Sequence, residues 1–366
     1  QPRGLPTTNV TWIKAHSTDI GIDFGFFNNR LSGSIDYFYR KRTGLLAHKN
    51  DVLIPVSAGI SLPEQNLNSD ANMGADGSLT FKNAVNKNFS YTIGVNATFS
   101  RRKILHVYHP RFANSWDKYR HGVTNRWAGI QWGYKVVGRF KSQKQINNYP
   151  VNEDGKGNTT LLPGDLIFKD VNHDGVINSQ DSRPIAYQNG YFNNGLPFLN
   201  FGLNAGLHYK NLSLSVEFAG ADFSSFLRQY ELLVPFQNSG NSPKFIFNNN
   251  WHHKNVFDNS SPWVPGYYPP LRKGMNSSTH DLQTSTFDFV NVHYIRLKNL
   301  KIGYTLPFKW INRDLNINKL TVYLDGYNLL SLDNLKKFGI DPEINQSNGF
   351  NYPQTRIINV GANISF

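Results

Sequence analysis

The chain has 366 residues, 38 Lys and Arg against 25 Asp and Glu, a net charge of +13 and no cysteine. With a mean hydropathy of −0.46 and no apolar run near the ~20 residues of a membrane-spanning helix, helical spans are excluded. Disulfides and thiolate metal sites are excluded with them. The counts of Gly (30), Tyr (18) and Phe (26) favour an all-β protein, since aromatics suit strands and Gly suits tight turns. The positive charge is scattered, with Arg40-Lys41-Arg42 and Arg101-Arg102-Lys103 as the tight clusters. Both follow strand-like runs, where basic side chains can meet phosphate or lipid headgroups. No helix-turn-helix, zinc-finger or RNP-type motif accompanies them, so nucleic acid is not an expected partner. The chain opens at Gln1-Pro2-Arg3 without Met or signal peptide, which reads as a processed or truncated start.

From the amino end, Thr18 to Asn28 alternates, with Ile20, Ile22, Phe24 and Phe26 opposed by Gly21, Asp23 and Gly25. A turn at Asn28-Asn29-Arg30 leads to a second alternating run, Leu31 to Arg40, which predicts a hairpin. Residues 45–70 read as a loop, Asn72 to Lys82 as a weaker strand, and Asn88 to Ser100 as a very regular one. Residues 101–198 are mostly irregular, with a short strand expected at Tyr134 to Phe140. Leu199 to Tyr209 and the run from Leu212 to Phe218 form a second hairpin about Lys210-Asn211. Residues 220–288 form another long loop. Asn291 to Thr305 is a strand whose apolar phase slips, so a bulge is expected near Lys298-Asn299. Lys319 to Leu330 follows, then a loop over 331–353, then the terminal run.

In that run Ile358, Val360, Ala362, Ile364 and Phe366 share one face, and Asn359, Gly361, Asn363 and Ser365 the other. This strict period of two suits a tilted strand that crosses a bilayer, and equally an edge strand of a soluble sandwich. The connections decide between them. Short and long links alternate along the chain, so every short link falls at one end of the strands and every long one at the other. That asymmetry belongs to an outer-membrane barrel with short periplasmic turns and long extracellular loops. Nine crossings leave the first and last strands running in the same direction, whereas bacterial single-chain barrels close with even numbers. The expectation is therefore the C-terminal part of one larger barrel over 1–366, with long extracellular loops at 101–198 and 220–288.

Asp170, Asn172, Asp174, Val176, Asn178 and Asp181 occupy positions 1, 3, 5, 7, 9 and 12 of a calcium-loop grammar, with Gly175 at the sharp turn. Three carboxylates, two amide oxygens and the Val176 carbonyl suit a hard cation, calcium or else magnesium. Its expected role is to rigidify a loop. An ion-free Asp/Asn-rich turn is the competing reading. No GxSxG, P-loop or HExxH pattern occurs, His252-His253 stand without such a context, and no enzyme is expected. Trp251, Trp263, Tyr267 and Tyr268 lie in one long loop and could stack on a sugar ring or a peptide. Otherwise they form that loop's own small core.

Several runs carry a further resemblance. They are Phe24-Gly-Phe-Phe-Asn-Asn-Arg-Leu-Ser-Gly-Ser-Ile-Asp-Tyr37, Pro163-Gly-Asp-Leu-Ile-Phe-Lys-Asp-Val-Asn-His-Asp-Gly175 and Tyr294-Ile-Arg-Leu-Lys-Asn-Leu-Lys-Ile-Gly-Tyr-Thr-Leu-Pro307. Tyr323-Leu-Asp-Gly-Tyr-Asn-Leu-Leu330, Gly339-Ile-Asp-Pro-Glu343 and the ending from Tyr352 to Phe366 continue the order. Together they resemble SusC/RagA-type TonB-dependent transporters of Bacteroidetes over nearly the whole chain.

The resemblance implies an outer-membrane, multi-pass barrel of about 22 strands, the size of plugged transporters. It also implies an N-terminal plug and TonB box, which are absent from these residues, a SusD-like surface lipoprotein as lid, and import of oligosaccharides or peptides. Outer-membrane lipid would surround the barrel, and the C-terminal Ile364 and Phe366 would serve as an assembly signal. His173 departs from the Asn-Gly-Asp-Gly loop common in the family. The rival functions are a non-energised porin or a barrel component of another envelope machine, and a soluble calcium-binding sandwich that recognises carbohydrate.

Overall fold

The computed structural model describes residues 9–49, 52, 54–55, 57, 59, 62–187, 197–274, 280–307, 317–344, 351–352 and 354–365. The chain begins with two antiparallel hairpins, β1 (Lys14–Phe26) with β2 (Leu31–Ala47) and β3 (Gln65–Asn86) with β4 (Phe89–His106). Five short strands follow: β5 (Arg126–Trp127), β6 (Gln131–Gly133), β7 (Val136–Arg139), β8 (Leu166–Phe168) and β9 (Arg183–Ala186). The wall resumes with β10 (Leu199–Tyr209) and β11 (Leu212–Leu227). Two short strands, β12 (His252–His253) and β13 (Trp263–Val264), precede the last long ones, β14 (Phe289–Thr305), β15 (Lys319–Asp333) and β16 (Ile357–Ser365).

The nine long strands form one sheet in chain order, β1-β2-β3-β4-β10-β11-β14-β15-β16, with every neighbouring pair antiparallel. The register keeps one apolar face continuous across the whole sheet. Phe26, Leu31, Phe81, Ile93, Ala205, Val216, Leu300, Gly326 and Ile358 pair in succession from the first strand to the last. The row beside it, Gly25, Ser32, Thr80, Gly94, Asn204, Glu217, Asn299 and Tyr327, is on the opposite face and is small or polar.

Among the described residues no second layer covers the apolar face: Ile22 is 68% exposed and Val360 83%. A sandwich would bury that face, so the sandwich is set aside. Aromatic pairs mark the two limits of the apolar band. Phe89, Tyr91 and Tyr209 cluster near the turns, with centroids 5.9 and 6.3 Å apart. Phe99, Phe198 and Phe223 cluster near the loops, at 6.4 and 6.1 Å. Tyr91 and Phe99 share the apolar face of β4, about 26 Å apart at the usual strand rise. That matches the ~25 Å apolar band between the aromatic girdles of a membrane barrel.

Glycines let aromatic rings lie across the strands. A Cβ on Gly220 would fall 2.3 Å from the Phe201 ring and 2.5 Å from the Tyr294 carbonyl oxygen, and the two residues are direct cross-strand partners. Gly74 opposes Phe38 in the same manner. Rings laid over glycines cover backbone that would otherwise have no side-chain partner.

The strands run well past the residues whose alternation marked them. The run expected as weak over 72–82 belongs to a strand of 22 residues, β3, and β2, β4 and β11 also extend beyond their apolar stretches. Beyond the apolar band neither face needs apolar side chains, so the pairing continues without the pattern. The loops expected over 45–70, 101–198 and 220–288 are shorter by those extensions. The bulge lies at Lys298, the extra residue where Leu297 pairs with Phe218 and Asn299 with Glu217. The connection expected over 306–318 falls mostly outside the described residues, as do Gln1 and Phe366.

The two basic clusters lie inside β2 and β4, not after them. Arg42 and Arg102 both pair with Oδ2 of the buried Asp70, at 2.5 and 2.7 Å. The Arg101 guanidinium lies 4.5 Å from the Trp127 ring and 4.9 Å from that of Phe198. Arg42 of β2 and Arg102 of β4 thus tie their strands to β3 through Asp70.

Candidate functional site: the loop body

The two longest loops knit into one body above the sheet. Tyr134 donates its N–H to the Thr284 carbonyl at 2.8 Å and accepts from Thr286 N–H at 2.9 Å, so the chain near β6 pairs with the approach to β14. Phe140, Ile146, Leu161 and Ile167 form a small apolar core beneath, with Tyr149 packed on it. A second core, Phe226, Leu232, Val292, Leu335, Phe338 and Ile340, joins the upper ends of β11 and β14 to the loop after β15. The bulge residue Lys298 and its neighbour Arg296 fasten that loop, with Lys298 Nζ 2.6 Å from Glu343 and Arg296 2.8 Å from Asp341.

Ion pairs fasten the body internally. Arg272 bridges Asp165 at 2.5 Å and Asp281 at 3.3 Å, and Asp281 also accepts from Leu166 N–H at 2.9 Å. Burial, together with the neighbouring Asp281, pushes the Asp165 carboxyl up to about 8, and burial raises Asp281 as well. Burial thus holds two carboxyls beside one guanidinium above the usual carboxylate range.

The aromatic residues expected to contact substrate divide into three environments. Tyr268 is buried and accepts a hydrogen bond from Arg228 Nη1 at 3.3 Å. Arg228 itself has no exposed surface; its guanidinium lies 4.5 Å from the Phe287 ring, 4.7 Å from that of Phe338 and 5.6 Å from those of Tyr267 and Tyr268. Trp251 is also buried, and its backbone N–H donates to the Tyr268 carbonyl at 2.9 Å. Its ring presses on Gly164, whose φ of +101° and whose distance of 2.3 Å from a would-be Cβ to the ring leave no room for another residue. Tyr267 is more exposed and, with Trp251, Arg139 and Phe287, lines an open groove of about 600 Å³. Trp263 stands apart, packed on His253 with centroids 4.0 Å apart in the β12–β13 pair.

Arg139 braces the groove wall. It donates to the Gly164 carbonyl at 2.8 Å and to that of Tyr267, and lies 4.9 Å from the Phe287 ring. Sequence reasoning overlooked Arg139 and Arg228. Each is a single basic residue at the end of a strand, and only the fold surrounds it with rings.

The calcium-like loop has the backbone that its grammar requires. Gly175 adopts φ +80° at the sharp turn, and His173 is also left-handed at +62°. Asp170 accepts from His173 N–H at 2.7 Å and Gly175 N–H at 3.0 Å. Asp174 accepts from Val176 N–H at 2.9 Å and faces the side-chain amides of Asn172 and Asn178 at 2.8 and 3.2 Å. The buried Asp181 accepts from Val171 and Asn178 N–H at 2.8 and 3.0 Å and so staples the loop shut. Among the described residues no three His, Asp or Glu side chains converge as metal ligands. Asn172 and Asn178 would have to turn their oxygens inward, and the carboxylates draw together, for an ion to be held.

No family model matches the chain. Curated relatives do. It is 28% identical to the TonB-dependent receptor P26 of Formosa agariphila, across 99% of this chain and 36% of that protein. It is 26% identical to the TonB-dependent receptor SusC of Bacteroides thetaiotaomicron, across 98% of this chain and 32% of that protein. The chain therefore spans about a third of the length of these relatives. Its fold matches that of the RagAB peptide importer in its open-open state, with a TM-score of 0.66, 22% identity and coverage of 98% of this chain and 35% of the other. The resemblance to SusC/RagA-type TonB-dependent transporters thus extends along the whole chain in sequence and in fold. The nine long strands are outer-membrane β-barrel wall.

Proposed function

We propose that the protein is the barrel of a TonB-dependent importer that takes oligosaccharides or peptides across the outer membrane with a SusD-like surface lipoprotein. The observation that carries this reading is the likeness to TonB-dependent receptors over nearly every residue of the chain. The uncovered apolar face and the sorting of long loops to one end support it. The relatives are receptors and transporters, which favours a conduit over a catalyst. In this reading the loops at 101–198 and 220–288 face the outside, and the groove beside Trp251 and Tyr267 receives substrate. Tyr268 holds the groove's surroundings in place, whereas Trp263 lies apart on the β12–β13 pair. The loop from Asp170 to Asp181 takes up calcium as a brace. Ile364, exposed on β16, and Phe366 form the signal read by the assembly machinery.

The test is uptake of labelled oligosaccharide and peptide by cells carrying the full-length protein, with and without TonB. Uptake that stops without TonB supports the importer. Undiminished uptake supports the non-energised porin instead.

A further inference from the structure

The two basic clusters divide between the faces of the wall. Alternation along β2 puts Arg42 on the polar face and Lys41 on the apolar one. Along β4 it puts Arg102 on the polar face and Arg101 and Lys103 on the apolar one. Asp70 of β3 holds the two polar-face arginines.

The register gathers the cations of the other face into a patch. His16, Lys41, Ala71, Lys103 and Trp127 pair in succession from β1 to β5. Thr18, Tyr39, Met73 and Arg101 form the row on the apolar side of it, and Lys14, Thr43, Ser69 and His106 the row beyond. These rows hold three lysines, an arginine and two histidines, with neither Asp nor Glu. Lys14, His16, Lys41 and His106 are exposed, and Arg101 and Lys103 are half-buried. Lys41 and Lys103 flank Ala71 across two strand spacings, about 10 Å. Ala71 has no exposed surface and adds no bulk between them. Their stems are long enough for both ammonium groups to close on one tetrahedral anion.

The patch sits at a defined level. Phe99 belongs to the aromatic cluster that limits the apolar band, and Arg101 and Lys103 follow it by about 7 and 14 Å along a tilted strand. There hydrocarbon gives way to headgroups. The Trp127 ring lies 4.5 Å from the Arg101 guanidinium and 5.8 Å from the Lys103 ammonium. A tryptophan beneath cations suits that interface.

We propose that Lys41 and Lys103, with Arg101 below them, bind the phosphate group of an outer-leaflet lipid whose acyl chains lie on the apolar face. A phosphate brings negative charge and several acceptor oxygens to a patch that has no acid of its own. The apolar band directly below adds a gain for acyl chains that a free anion lacks. This binding rests on the orientation proposed above, with the long loops outside, but on neither a particular substrate nor energy coupling.

The experiment is native mass spectrometry of the delipidated full-length protein in detergent, titrated with monophosphoryl lipid A and with the same lipid stripped of phosphate. The phosphorylated form should bind about tenfold more tightly. Lys41→Gln and Lys103→Gln should each lower its affinity about fivefold. Lys41 is exposed, so its variant keeps the test decisive should Lys103→Gln not assemble. Arg40→Gln removes the same charge from the polar face and should change nothing. Equal binding of the two lipids, affinity indifferent to Lys41→Gln, or an equal loss with Arg40→Gln would overturn the proposal. So would inorganic phosphate binding as tightly as the phosphorylated lipid, which would assign the patch to a free anion. Protease added to intact cells reads the orientation separately. Cuts within 220–288 place the loops outside whatever the lipid result, whereas protection there overturns the orientation itself.

Discussion

Arg272 Nη2 lies 2.5 Å from Asp165 Oδ2, an ion pair that joins two loops across 107 residues of sequence. Asp165 and Asp281 are almost wholly buried, and Arg272 is 20% exposed. Removing the cation leaves two buried carboxyls to each other. Arg272→Ala should destabilise the loop body by on the order of 3–5 kcal/mol, the range for breaking a buried pair from one side. Proteolysis should then cut within 160–168 and 271–288 while the barrel keeps its heat-modifiable mobility on gels. Unchanged protection of both segments would show that the pair holds nothing.

The raised acids of the loop body make its stability depend on pH. Glu153 and Asp165 are pushed up to about 8 and Asp288 to about 7, in each case chiefly by burial. A carboxyl raised on folding binds its proton more tightly when folded, so the folded form is favoured most at low pH. That advantage shrinks as pH climbs from the unfolded values near 4 through the folded ones, and is gone above about pH 8. Loop protection against protease, referenced to an unfolded substrate, should be stronger at about pH 5 than at about pH 9. Equal protection at both would contradict the assigned protonation.

Gly220 gives a test of the wall. Its would-be Cβ meets the Tyr294 carbonyl, which cannot rotate away, and the Phe201 ring, which has strands on both sides. Gly220→Val should cost about 1–3 kcal/mol by overpacking and lower the yield of assembled, heat-modifiable barrel. Gly206, where a Cβ would meet nothing within 4 Å, supplies the control. Equal yields for the two variants would remove the role given to rings laid over glycines.

For the loop from Asp170 to Asp181, calcium at ~1 mM should raise its protection, as expected of weak extracellular sites. Asp174→Ala should abolish the effect, since Asp174 is the carboxylate that both Asn172 and Asn178 face. Protection that ignores calcium and chelator alike would leave the loop as a hydrogen-bonded turn held by Asp181.

The wall was readable from the sequence because a bilayer imposes a strict rule on every second residue. Ile358, Val360, Ala362 and Ile364 obey it, and even the slip near Lys298 announced its bulge. Above the bilayer the rule lapses, so the upper parts of β2, β3 and β4 read as loop. The groove was half legible: Trp251 and Tyr267 stood out as aromatics in one loop, and they line it together. Trp263 stood out equally and lies elsewhere, because clustering in sequence does not specify which ring packs on which. Arg228, Arg272 and Glu153 could not be picked out. Their significance comes from what buries them, and those neighbours arrive from distant segments.

The central claim is that the apolar face meets lipid and the polar face the lumen. These residues include no cysteine, so single cysteines placed along 357–365 of the full-length protein in bilayers, with any cysteine elsewhere replaced, can carry spin labels without background. The account predicts that labels at Ile358, Val360, Ala362 and Ile364 relax with lipid-soluble oxygen, and that those at Asn359, Gly361 and Asn363 relax with a water-soluble nickel chelate. Accessibility without that alternation, or with its phases reversed, would contradict the barrel wall described here.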